Sequence, residues 1–153
     1  MRLWQSHYET VAIATYLDLQ FGGPRLTPTD PSAQAKMLQW ISVINAYIYP
    51  DAITNYVLQY VYPRGENNKP DRRAIDAALP LLGRDLRLFE QTLSDKEYLV
   101  GSLSLADLFF APIHYYLGLF PESQGILADL PALQSYGERM AQRESYIKTL
   151  PAS

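Results

Sequence analysis

The stretch GSLSLADLFFAP, residues 101–112, decides the fold. Ser104 and Asp107 stand three positions apart, just ahead of an apolar run. A serine at a helix N-cap accepts from the N–H of the third helical residue, and an acid at that third position reaches back to the serine N–H. Ser104 and Asp107 therefore read as a reciprocal capping box, with Asp in place of the more usual Glu. Leu103 and Leu108 are placed for the accompanying hydrophobic staple, and Asp107 lies where the helix dipole favours a negative charge. Losing the cap is expected to cost about 1 kcal/mol, or about 2 if it is buried. The alternative, catalytic use of the pair, needs an orienting base. His114 is the nearest histidine, two turns on, so the structural reading is preferred.

Outward from this helix start the chain reads as helices divided by proline and glycine. Glu9–Phe21 has Val11, Ile13, Tyr16 and Leu17 near helical spacing and stops at Gly22, Gly23 and Pro24. Asp30 and Pro31 form a cap and first-turn pair. From there a long helix carries Met37, Trp40, Ile41, Ile44 and Ile48 on one stripe, and Pro50 is expected to kink or split it. Pro63–Asp71 is a polar loop. Arg72–Leu93 places Ile75, Leu79, Leu82, Leu86 and Phe89 at intervals of three and four, with a bend expected at Pro80 and Gly83. Arg84, Asp85 and Arg87 read first as a solvated face, with a contribution to a subunit interface as the alternative. Further helices are expected over Pro131–Arg143 and Glu144–Leu150, and Pro112 is expected to kink the helix that Ser104 starts. No alternating strand pattern or hairpin signal is visible, so the fold class is all-α.

Composition narrows the function. The 153 residues are 48% apolar and 19% charged, enough for one domain with a core. A net charge of −3 argues against nucleic acid as partner. No segment is apolar enough for a membrane span, and the N-terminal stretch lacks the apolar run of a secretory signal. The absence of cysteine removes disulfides, thiolate catalysis and Cys metal sites, and fits a cytoplasmic protein. His7 and His114 are isolated, so no metal centre is expected, and His114 reads as a satisfied or surface histidine.

Four segments in order carry a resemblance: YETVAIATYLD, TPTDPSAQAKMLQWISVIN, GSLSLADLFFAPI and LPALQSYGERMAQRESYIKTL. Together, from about Tyr8 onward, they resemble the C-terminal all-helical half of cytosolic glutathione S-transferases, joined to the last helix of that family's thioredoxin-like domain. The implied division is residues 1–29 as remnant helix and linker, and residues 30–153 as the all-α domain. The resemblance implies a parent activity, conjugation of glutathione to hydrophobic electrophiles, with the sulfur-activating residue supplied by the thioredoxin-like half. This chain would then be a fragment, a truncated form or a stand-alone helical half, and no catalytic residue is assigned in it.

The same resemblance places Glu9 and Thr10 where the family holds the γ-glutamyl end of glutathione; a helix-capping pair without ligand is the alternative. Ser42, Asn45 and Tyr49 share a face at i, i+3 and i+7 of the long helix. Tyr49 stands where related bacterial enzymes often have a histidine near the sulfur. A phenol can donate to sulfur there, or simply pack with a wet edge. Tyr116 falls at the aromatic wall of the hydrophobic-substrate pocket, or else in the core. The expected partners are hydrophobic small molecules and a second copy or a complementing thioredoxin-like domain, with glutathione as co-substrate once that domain is supplied. A second reading is a non-catalytic interaction module of the kind attached to translation factors or aminoacyl-tRNA synthetases. A third is a carrier of apolar ligands between helices.

Overall fold

The computed structural model describes residues 8–151; His7 and the outermost ends of the two expected domains lie outside them. Helix α1 spans Thr10–Gln20 and α2 spans Pro31–Val43. Asp30 caps α2 as expected, accepting from the Ala33 N–H at 2.8 Å, with Pro31 in the first turn. Helical bonding then continues through Ile44–Val57 into α3, Leu58–Val61. Pro50 does not split it. The turns widen instead to i→i+5, as in the Leu58 N–H bond to the Ile53 carbonyl, and each wider turn shifts the side chains that follow around the axis.

The polar loop holds a 3₁₀ turn, Glu66–Asn68, with Asn67 and Asn68 at φ 55° and 56°. Asparagine tolerates this left-handed region. Gly65 permits a close approach, since a Cβ there would lie 2.7 Å from the Lys69 carbonyl. Helix α4, Arg72–Leu93, starts at Asp71, whose carboxylate accepts from Arg73 and Ala74, and it runs on through Pro80 and Gly83. Its buried stripe is Ile75, Ala78, Leu82, Leu86, Phe89 and Leu93, with Leu79 at the margin.

Helix α5, Leu105–Leu117, begins at Ser104 and passes Pro112 without a break. Helix α6, Pro121–Ala128, was not expected from the sequence, although Pro121 followed by Glu122 is a first-turn signature. Helices α7, Pro131–Ala141, and α8, Glu144–Thr149, fall where expected. No β-strand occurs among the described residues, which hold one isolated bridge between Val100 and Ser102.

The core is an aromatic column crossing four helices. Trp40 meets Phe89 at 4.8 Å, and Phe89 stacks on Phe110 at 3.9 Å. Tyr136 completes it at 5.7 Å from Phe110 and donates its hydroxyl to the Asp107 carbonyl at 3.1 Å. Each such pair adds about 0.5–1.5 kcal/mol beyond burial. Long-range capping ties α7 to the rest, because the Glu90 carboxylate of α4 accepts from the Ala132 and Leu133 N–H groups at 3.0 and 2.9 Å. Helix α1 buries no residue and reaches the core only through partly buried Val11 and Ala14.

Two expectations about polar groups are corrected. Asp85 is not part of a solvated face. It is buried, with one carboxylate oxygen held by Arg84 at 2.8 Å and the other without a partner. Its α4 position turns inward toward Asp51, while Arg84 and Arg87 stay exposed. His114 is not at the surface, and it is satisfied at one ring nitrogen only, through the Leu133 backbone. It is half-buried between Phe110 and Tyr136, and its Nε2 lacks a partner. Burial pushes it down to about 4, with the Leu133 backbone acting the other way, so the ring is neutral at pH 7. Gly137 makes room for it, because a Cβ there would lie 2.4 Å from His114 Cε1.

Candidate functional site

Asp107 is the polar centre of the α5 start. The capping box is reciprocal. One Asp107 oxygen accepts from the Ser104 N–H and hydroxyl, each at 2.9 Å, and the other accepts from the Leu99 N–H at 3.0 Å. Ser104 and Asp107 are fully buried. Burial pushes the Asp107 carboxyl up, although these donors oppose it. The arrangement closes the loop over residues 99–104 and offers no nucleophile–base pair. Leu103 packs on the core, whereas Leu108, its expected staple partner, is exposed.

An apolar cleft of about 310 Å³ opens between the long helix and α5. Ile53, Val57 and Val61 line one side, and Ile113 and Tyr116 the other, with Tyr49 and Tyr62 at its edges. Val57 and Ile113 are buried, while Tyr49 is 50% exposed, as suits a rim. Tyr116 is braced by Tyr115 at 5.3 Å. Two residues selected from the sequence, Tyr49 and Tyr116, thus meet at one cleft although 67 positions separate them. Ser42 and Asn45 do not join them. They line a second, open depression with Val11 of α1, Leu38 and Ile41. The wide turns after Val43 account for this parting, since they rotate Tyr49 off the face that a 3.6-residue period assigns to it. The spacing Tyr49, Ile53, Val57 and Val61, four apart throughout, is the sequence signal for the apolar lining.

The wall of the cleft is held from behind by a polar cluster absent from the sequence reading. Tyr56 and Tyr60 donate to one oxygen of Glu122 at 3.0 and 2.5 Å, and Arg72 binds the other. Tyr60 also stacks on Phe120 at 4.4 Å. Burial raises Glu122, but the Arg72 and tyrosine hydrogen bonds outweigh it and hold the carboxyl down to about 2; burial and Glu122 push Tyr60 up to about 12. A carboxyl lowered by folding contributes stability that is complete above its ordinary pKa of 4.5 and is lost as pH falls toward 2. With Arg72 exposed, solvent screening leaves only a part of it. Urea unfolding at pH 6 and pH 3 checks this. The stability gap between the native protein and Glu122→Gln is expected to shrink at pH 3, where part of that contribution is lost; an unchanged gap contradicts the assignment.

Glu9 and Thr10 form a third locus. Both are exposed at the start of α1. Glu9 holds φ 68° and ψ 130°, a strained state for a residue with a Cβ, and its side chain makes no capping bond. The described residues hold no group of three or more metal-binding side chains, and no helix among them is long and apolar enough to cross a membrane.

Comparison with known proteins agrees with this architecture. The chain is 25% identical to glutathione S-transferase F13 of Arabidopsis thaliana over 94% of its length, and 27% identical to glutathione S-transferase 3 of Zea mays over 95%. It spans about two thirds of the length of these relatives, 67% and 66%. It is 34% identical to elongation factor 1-gamma of Schizosaccharomyces pombe, over 67% of this chain and 24% of that protein. Among solved structures, glutathione S-transferase III in apo form superposes with a TM-score of 0.83 at 28% identity, covering 100% of this chain and 73% of that one. The glutathione S-transferase of Methylobacillus flagellatus, solved with glutathione bound, gives 0.76 at 26% identity, covering 95% and 70%. Residues 48–144, more than half of the chain, match the family of the glutathione S-transferase C-terminal domain, and the protein belongs to that family.

Proposed function

We propose that this chain works as the helical half of a glutathione-conjugating enzyme, with residues 1–29 as the remnant of a thioredoxin-like domain and residues 30–153 as the all-α domain. The carrying observation is the cleft itself, an apolar space of drug-fragment size into which Tyr49 and Tyr116 converge. It takes the hydrophobic electrophile. Glu9 and Thr10 hold the γ-glutamyl end of glutathione. The strain at Glu9 and its uncapped helix start support that role, because a helix N-terminus attracts the carboxylate and the Glu9 side chain the ammonium. Ser42 and Asn45, in the neighbouring depression, line the approach from α1.

The reaction needs a donor that stabilises a thiolate in a protected site. Tyr49 is too open to water to do so, and that group comes from a thioredoxin-like domain. The apolar side chains that α1 leaves exposed, Ile13, Leu17 and Leu19, fit such a domain, and exposed Leu38, Leu81 and Leu88 fit a second copy of the chain. Detoxification in the cytoplasm is the corresponding setting.

Titrating 1-chloro-2,4-dinitrobenzene into the methyl-labelled chain tests the cleft. Saturable shifts are expected at the Ile53, Val57 and Ile113 methyls. Val61→Asp, at an exposed rim position, is expected to weaken them about tenfold by leaving a charge beside the apolar ligand. Shifts confined to the Ser42–Asn45 depression, or none, contradict the proposal.

The likeness to elongation factor 1-gamma favours a second reading, a non-catalytic assembly module. Its signature is co-purification with a translation factor, no retention of glutathione and a silent cleft.

A further inference from the structure

On the far side of the Asp107 loop, the corner between α7 and α8 faces residue 98 across an open cleft of about 550 Å³, lined by Tyr98, Arg139, Gln142, Arg143, Glu144 and Ser145. Its chemistry is the opposite of the apolar cleft. Two half-buried arginines enter it. The Arg139 Nη2 donates to the Glu97 carbonyl at 2.7 Å, and its guanidinium carbon lies 6.0 Å from the centre of the Tyr98 ring. These contacts fix its position and leave it without a carboxylate partner among the described residues. Its Nε is buried without an acceptor, and the Arg143 Nε is in the same condition. No ion pair between either guanidinium and a carboxylate occurs among the described residues; the one carboxylate lining the cleft, Glu144, is paired with Lys148 at 2.5 Å.

Such an arrangement is costly unless something completes it. An N–H donor withdrawn from water without an acceptor is unfavourable, more so when it is charged, and two neighbouring guanidiniums repel. An anion between them offsets both costs, and the planar fork of arginine matches two oxygens of one group. Gln142 and Ser145 add neutral donors at the same wall.

We propose that this cleft binds an oxyanion, the phosphate or carboxylate group of a small molecule, between Arg139 and Arg143. The site is separate from the apolar cleft and does not depend on the glutathione reading.

The arginine Nε–H resonances of the whole chain report on it directly. Inorganic phosphate is titrated at ionic strength matched with sodium chloride, and acetate forms a second arm. Saturable shifts of the Arg139 and Arg143 Nε–H signals are expected with phosphate and not with chloride. Arg143→Gln is expected to weaken phosphate binding about tenfold or more. Arg143→Lys, which keeps the charge and loses the fork, is expected to fall between the two, and it serves if the glutamine variant does not fold. A response to both anions marks a general oxyanion site, and a response to phosphate alone marks a phosphate site. No saturable response in either arm, or equal binding by the native chain and its Arg143 variants, overturns the proposal.

Discussion

Replacing Asp107 by alanine is expected to destabilise the fold by about 4 kcal/mol, seen as a fall in the urea midpoint and a Tm lower by about 10 °C. The carboxylate is fully buried and satisfies three donors, the N–H groups of Leu99 and Ser104 and the Ser104 hydroxyl. Alanine leaves two buried backbone N–H groups without acceptors, at about 1–3 kcal/mol each, and removes the helix cap as well. Ser104→Ala removes the buried N-cap hydroxyl and leaves the Asp107 carboxylate in place, and is expected to cost about 2 kcal/mol. The order matters more than either value. A Ser104→Ala loss equal to or greater than that of Asp107→Ala would show that the loop over residues 99–104 does not depend on the carboxylate.

That pair illustrates what was legible in the chain. The capping box could be read from Ser104 and Asp107 alone, because its partners are three residues apart and helix geometry brings them together. The bond from Leu99 to Asp107 could not, since it depends on how the preceding loop returns to α5. The Glu122 cluster shows the same limit. Its members, Tyr56, Tyr60 and Arg72, lie 50 to 66 residues from Glu122, and nothing local in the sequence joins them.

Periodicity succeeded where the helix kept its ordinary pitch. The stripe of Ile75, Leu82, Leu86 and Phe89 is buried as read, and Asp30 and Pro31 start α2 as read. It failed across Pro50. There the wide turns send Ser42 and Asn45 toward α1 and Tyr49 toward α5, so a face drawn from one constant period divides into two sites. Asp85 departs from its expected face for a related reason. Arg84, Asp85 and Arg87 are close in sequence, but on a helix the middle residue points elsewhere than its neighbours.

The second large effect concerns activity. This chain is expected to supply the electrophile wall and one edge of the glutathione site but no protected donor for the sulfur. General acid–base assistance is worth about 10²–10⁴-fold in rate, and its absence leaves conjugation near the solution background. The decisive measurement is the rate at which the purified 153-residue chain conjugates glutathione to 1-chloro-2,4-dinitrobenzene, alone and fused behind the thioredoxin-like half of a plant glutathione S-transferase. The account predicts no rate above background for the chain alone, and at least about a hundredfold more for the fusion, reduced by Tyr116→Ala. Robust conjugation by the chain alone, or a fusion that binds glutathione yet stays at background, would contradict it.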